Sequence, residues 1–242
     1  MYIIFLLLIL GYFTVLSFFE ARDIKKLKEM VITEKIRTKN YREGIILGWI
    51  PALVVLLICL FSSISFNDIG LRQLGLNYNI WFNVITLIIS GGYLALMLYQ
   101  MISYMASVKY REKAKEQLEN ASQKNNYNAI MNNIALPRSK KEKRLFFGLS
   151  LTAGISEEIV FRGFMFFILK AIFPDLSLII VVIIISIIFG ILHIYQGFSG
   201  IIKTALFGAF FGCLYLVTNS IFPGIILHFI GDFSSAFLLS DE

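Results

Sequence analysis

The sequence predicts an all-α, polytopic integral membrane protein with about seven transmembrane helices. Hydrophobic residues make up 57% of its 242 residues and charged ones only 16%, and the mean hydropathy is +0.76, far from the roughly one-quarter charged residues of a soluble domain. Apolar segments at 2–19, 45–66, 80–107, 145–171, 176–192, 199–218 and 221–239 approach or exceed the roughly 20 helical residues that cross a bilayer core. The charges collect between these segments.

Taken in order, segment 2–19 has no basic residue ahead of it and no small-residue cleavage site before Glu20, so a retained helix is expected, not a signal peptide. Eight of the 22 Lys and Arg residues then fall between Glu20 and Gly44, and ten more between Val108 and Arg144. Both basic loops are expected in the cytoplasm, the amino terminus outside and the tail Ser240-Asp241-Glu242 inside. Lys203 falls near a cytoplasmic helix start, and Lys170 is expected to snorkel on the outer side. The net charge of +6 is thus a topology signal that also suits anionic lipid, and it does not imply nucleic acid. In the stretch KYREKAKEQLE, Lys109/Lys113 and Glu112/Glu116 fall four apart, on shared helix faces, and the stretch is expected to prolong the third span. SKKEKR, from Ser139, reads as a basic collar at the interface. Cys59 and Cys213 lie far apart in apolar runs and read as small core residues. Pro174 and Pro223 mark helix boundaries, Gly208 and Gly212 form a small-residue packing face, and Phe164, Phe166 and Phe167 read as lipid or core contacts. Residues 1–144 and 145–242 are two regions of one structural domain, the second carrying the chemistry.

Glu157, Glu158 and Arg162 stand together in an apolar segment, and both histidines, His193 and His228, lie in or at the end of later ones, with Asp232 four residues beyond His228. Ionisable groups at bilayer depth are costly, about 2.5–3.5 kcal/mol each on insertion scales, and normally face a bundle interior or a wet cavity. Residues four apart share a helix face, which pairs Glu158 with Arg162, Phe189 with His193 and His228 with Asp232. Glu157 points about 100° away from Glu158. The expected division of labour is a structural Glu158–Arg162 ion pair, with Glu157 left to face the histidines and Glu158 as the alternative active group. Counting about 1.5 Å per residue puts Glu157 and His228 near mid-bilayer, with His193 nearer the cytoplasmic side.

One carboxylate, two imidazoles and a second carboxylate suit hydrolysis, with Glu157 as general base and imidazole holding the water directly or through a metal. Two histidines and an acid also resemble a catalytic zinc set, which makes His193 and His228 candidate zinc ligands, although no H-E-x-x-H spacing is present. Arg162 is a partner for Glu158 or a substrate carboxylate.

These residues resemble a known family. Glu157-Glu158-Ile-Val-Phe-Arg162 is similar to the EExxxR motif, Phe189-Gly-Ile-Leu-His193 to FxxxH, and His228-Phe-Ile-Gly-Asp232 to HxxxN, the three ordered motifs of the CPBP intramembrane proteases. That family includes type II CAAX prenyl endopeptidases and bacteriocin-processing or immunity proteins. The resemblance covers roughly residues 140–240. It implies Glu157 as catalytic base and His193 and His228 as the groups arranging water or metal. The last motif position, usually an oxyanion-binding Asn, is Asp232 here; an ionised carboxylate cannot donate, so Asp232 is protonated, a metal ligand, or an orienter of His228. The resulting expectation is an endopeptidase acting on a membrane-associated peptide or protein, in a bacterial-type plasma membrane. A non-catalytic immunity or scaffold protein is the alternative. A proton-coupled transporter is disfavoured by the lack of duplicated halves.

Overall fold

The computed structural model describes residues 1–27, 30–76, 78–124 and 132–235, and in these the chain is helical with no strand. Helix α1 spans Tyr2–Leu27, α2 Glu34–Phe61, α3 Ile80–Ala106 and α4 Val108–Lys124. Helix α5, Lys140–Glu157, passes without interruption into a π-helical stretch, Glu158–Met165, and then α6, Phe166–Ile172. Helix α7 spans Leu178–Leu192, a 3-10 turn Ile194–Gln196, α8 Gly197–Thr218 and α9 Phe222–Ser234. Among the described residues, α1, α2, α3 and the continuous run Ile194–Thr218 are long and apolar enough to cross a membrane, whereas α7 and α9 are shorter apolar helices. The fourth expected span is the α5–π–α6 rod. The seventh is described only to Ser235, and the tail Ser240-Asp241-Glu242 lies outside the described residues.

Helices α7 and α8 pack on each other most extensively, α5 packs on both α2 and α9, and α9 also meets α3. The close approach of α7 and α8 needs bare backbone: a Cβ on Gly208 would lie 3.0 Å from the Ser186 Cα, and one on Gly212 2.7 Å from a Val182 methyl. Helix α2 contains Pro51, which has no N–H to offer the Leu47 carbonyl one turn back. Tyr12 of α1 donates its hydroxyl to that carbonyl at 2.7 Å. Ser156 of α5 donates to the next carbonyl, Gly48, at 2.5 Å. The proline thus marks where α2 is tied to both neighbours.

The two basic segments meet at one end of the bundle. Arg37 Nε donates to Glu142 Oε1 at 2.7 Å, Lys141 pairs with Glu34 at 3.1 Å, and the Tyr41 hydroxyl donates to the Ala135 carbonyl at 3.0 Å. Ser139 and Glu142 form a reciprocal capping box that starts α5. SKKEKR is therefore a helix start with one buried acid, rather than only a basic collar. The third helix is not prolonged as expected: Ser107 is extended, and its hydroxyl accepts the Tyr110 amide at 3.2 Å, so that it begins α4 anew.

At the opposite end the connection after α2 is stitched to the α8–α9 turn. Arg72 Nε donates to the Asn219 carbonyl at 2.6 Å, Ser220 donates to the Arg72 carbonyl at 2.7 Å, and the Ile221 amide donates to the Gly70 carbonyl at 3.0 Å. Asn219 ends α8 in the left-handed conformation, φ 53°. These bonds fix where α9 begins. Lys170 donates to the Pro174 and Leu176 carbonyls at 2.5 and 2.7 Å, so its ammonium closes the α6–α7 connection.

Candidate active site

Glu157 ends α5 and Glu158 opens the π stretch, whose eight residues are all buried. A π turn is wider than an α turn, which alters the angle at which successive side chains leave the axis. Both carboxylates consequently reach α9. Glu158 Oε1 accepts from Arg162 Nη1 at 2.8 Å and from His228 Nδ1 at 3.0 Å. Glu158 is therefore more than the Arg162 partner expected from α-helical spacing. A Cβ on Gly224 would lie 2.6 Å from Glu158 Oε2, so the glycine lets α9 come this close.

Arg162 is held between rings, its guanidinium carbon 4.7 Å from the Phe189 centroid and 5.3 Å from that of Phe211. Its Nη2 donates to the Gly208 carbonyl at 3.4 Å. Glu158 Oε2 and Arg162 Nε are buried without a hydrogen-bond partner among the described residues.

The imidazole of His228 stacks on Phe211, with centroids 5.1 Å apart and planes 16° from parallel. Its Nδ1 faces a carboxylate, which directs a proton onto Nδ1 and turns Nε2 toward the reactive side. Glu157 Oε2 lies 3.7 Å from Nε2 and Asp232 Oδ2 lies 3.6 Å from it. These separations exceed a direct hydrogen bond but suit bridging by water. The Glu157 side chain is 22% exposed against 1% for Glu158, so Glu157 is the carboxylate that solvent can reach. A small cavity of about 120 Å³, lined by Phe146, Leu149, Ser150, Asp232 and Ser235, opens beside the cluster.

His193 follows the last residue of α7. Its Nδ1 donates to the Phe189 carbonyl at 2.7 Å, leaving Nε2 as the lone-pair nitrogen of the neutral ring. The Phe189 ring meets His193 at 4.7 Å and Phe161 at 4.8 Å. Phe189 thus joins His193 to Arg162. Among the described residues no hydrogen bond or ion pair links His193 directly to Glu157; the His193 ring instead meets Tyr195, with centroids 5.6 Å apart.

Three further residues were not singled out from sequence. Ser17 of α1 donates its hydroxyl to the Leu192 carbonyl just before His193. Glu20, one turn later, lies within Coulombic range of Glu157. Tyr195 lies within range of Glu20, Glu157 and Asp232. The signal for Ser17 and Glu20 was their place at the end of an apolar run, which reads as a span boundary. Nothing in the local sequence set Tyr195 apart from the other ten tyrosines.

The zinc expectation on His193 and His228 meets a donor set that does not fit a catalytic zinc, which takes three protein ligands. Among the described residues no group of three or more His, Cys, Asp or Glu is arranged to hold a metal ion. Each histidine also has its Nδ1 engaged, by Phe189 and by Glu158.

Comparison with known proteins adds a family. The model of the family described as "Type II CAAX prenyl endopeptidase Rce1-like" matches residues 142–234, a stretch that holds all three motifs. Comparisons with curated proteins and with solved structures found no match. Over residues 142–234 this polytopic helical membrane protein is therefore similar to the Rce1-like type II CAAX prenyl endopeptidases.

Proposed function

We propose that this chain is an intramembrane endopeptidase in which Glu157 is the general base and the substrate is a membrane-associated peptide or protein. One observation carries the reading: a solvent-reachable carboxylate stands 3.7 Å from His228 Nε2, while Glu158 holds the other nitrogen of the same ring at 3.0 Å. Water between Glu157 and His228 gives its proton to Glu157 as its oxygen bonds to the scissile carbonyl carbon. The C=O π pair moves onto oxygen; when it returns, the C–N bond breaks and the leaving amine takes the proton from Glu157. Arg162, stacked between Phe189 and Phe211, holds Glu158 aimed at His228. The step runs through side chains and water. A bacterial-type plasma membrane and a bacteriocin or signalling-peptide precursor are the setting and substrate we favour.

The test is cleavage of a mixed library of lipid-anchored fluorogenic peptides by the purified protein in proteoliposomes. Glu157→Gln should lower the rate by about 10³-fold, within the range for a lost general base, with thermal unfolding unchanged. Wild-type cleavage that Glu157→Gln leaves intact would sink the reading. A wild type that cleaves nothing, yet retains a cellular phenotype that Glu157→Gln also retains, would favour the scaffold alternative.

A further inference from the structure

The pocket of about 120 Å³ between α5 and α9 is lined by Phe146, Leu149, Ser150, Asp232 and Ser235. The hydrolytic step above uses none of these side chains. Ser150 is only 2% exposed, and its Oγ has no hydrogen-bond partner among the described residues. A buried hydroxyl left unpaired is costly, so one that lines a cavity calls for an occupant.

The polar part of the lining is made to accept hydrogen bonds. Ser235 donates its proton to the Asp232 carbonyl at 2.6 Å, which leaves its oxygen to accept from elsewhere. Asp232 adds a carboxyl on a side chain that is 43% exposed, and the lining includes no base. Charge balance points the same way. Arg162 answers Glu158, whereas Glu157 and Asp232 both lie against one nitrogen, Nε2 of His228, so one acid is in excess among the described residues. Water in the pocket would satisfy the Ser150 hydroxyl and leave that excess; a cation would answer both. A lysine ammonium brings three donors on a four-carbon stem, for which Asp232, Ser150 and Ser235 supply acceptors and Phe146 and Leu149 supply apolar walls.

The pocket is also near enough to the reaction to matter. Ser150 lies seven residues before Glu157 on the same face of α5, about 10 Å nearer the end where the basic segments meet. An extended chain covers that span in about three residues. Membrane peptides concentrate Lys and Arg where they leave the bilayer on the cytoplasmic side, the side on which this end is expected.

We propose that the pocket between α5 and α9 is a specificity subsite that takes a lysine side chain of the substrate, with Ser150, Asp232 and Ser235 accepting from its ammonium. The inference deepens the endopeptidase reading above and rests on it. The lysine should lie within about three residues of the bond that is cut.

The experiment places the protein in phosphatidylcholine vesicles, so that no anionic lipid attracts the probe. Palmitoylated peptides of one host sequence carry a single lysine, moved through successive positions, or norleucine, which keeps the stem and lacks the ammonium. The readout is the lysine-to-norleucine ratio of kcat/KM for wild type, Ser150→Leu and Asp232→Asn, a ratio indifferent to the folded fraction; for any protein that cleaves neither peptide, the ratio of binding constants replaces it. At one position wild type should favour lysine about tenfold or more, the scale of a hydrogen bond to a charged group. Filling the pocket in Ser150→Leu should bring the ratio to within about twofold of unity. Asp232→Asn keeps the shape and removes the charge, and should lower the ratio about fivefold or more; it carries the test if Ser150→Leu does not fold. Equal ratios at every position, which would mark a pocket that holds only water, a preference spread evenly over all positions, or one that survives both substitutions would each overturn the proposal. Any of these alongside cleavage abolished by Glu157→Gln defeats only this inference. A pocket-dependent lysine preference alongside cleavage indifferent to Glu157→Gln defeats the hydrolase reading and leaves lysine binding in place.

Discussion

Among the described residues the molecule buries an arginine–glutamate pair in two places, at the end where the basic segments meet and in the middle of the bundle, and satisfies them differently. At the end, Glu142 Oε1 accepts from Arg37 at 2.7 Å while Oε2 accepts the amides of Arg138 and Ser139 at 2.6 and 2.9 Å. In the middle, Glu158 concentrates Arg162 and His228 on Oε1 and leaves Oε2 without a partner, as Arg162 Nε is also left. A buried pair with its capacity filled is a latch between α2 and α5. A buried pair with capacity to spare is costly unless it serves another group, and here that group is the imidazole facing Glu157.

Breaking each pair tests that contrast. Arg162→Ala leaves Glu158 buried and without its guanidinium, and should cost about 3–5 kcal/mol, read as a large drop in the thermal midpoint in detergent together with loss of cleavage. Arg37→Ala should cost less, about 1–3 kcal/mol, because two amides still hold Glu142; kcat for the folded fraction should be unchanged. Equal losses of stability and activity in the two variants would erase the distinction.

The end latch should also titrate. Burial pushes the Glu142 carboxyl up, but the Arg138 and Ser139 amides and the Arg37 guanidinium outweigh it and hold the group below its ordinary value of 4.5. A carboxyl depressed in the folded state contributes stability that is fully present above its unfolded pKa and is lost as pH falls through the folded one. Midpoints recorded from neutral to acid pH should therefore decline below about 4.5, and Glu142→Gln should flatten that decline. The smallest effect is expected at the Pro51 tie, where Tyr12→Phe removes one interhelical hydrogen bond, worth about 0.6 kcal/mol on average in membranes. The matching readout is a shift of the midpoint by a degree or so.

The middle pair was legible in the sequence and the end pair was not, for one physical reason. Glu158, Arg162 and His228 stand out because an ionisable residue inside an apolar run has no bland explanation. Arg37 and Glu142 each sit among like-looking charges, and only the fold shows that these two turn inward. Helix identity was equally plain from hydropathy, whereas the break at Ser107 depends on one hydroxyl accepting one amide. Counting 100° per residue assumed an unbroken α-helix and so sent Glu158 away from His228; the π stretch brings it back. Ser17 was invisible because its bond to the Leu192 carbonyl comes from α1 packing on the turn after α7, a contact between distant parts of the chain.

The shortness of α7 has a consequence for the surrounding lipid. Its 15 residues rise only about 22 Å, well under the hydrocarbon thickness of about 30 Å, and the helix stops where the polar turn with His193 and Tyr195 begins. Thinning of the bilayer is one way in which so short a span is accommodated, and thinning here would draw headgroups and water inward around the turn. A chain embedded in the thinned leaflet would meet water at the depth of the imidazole, without being lifted out of the bilayer.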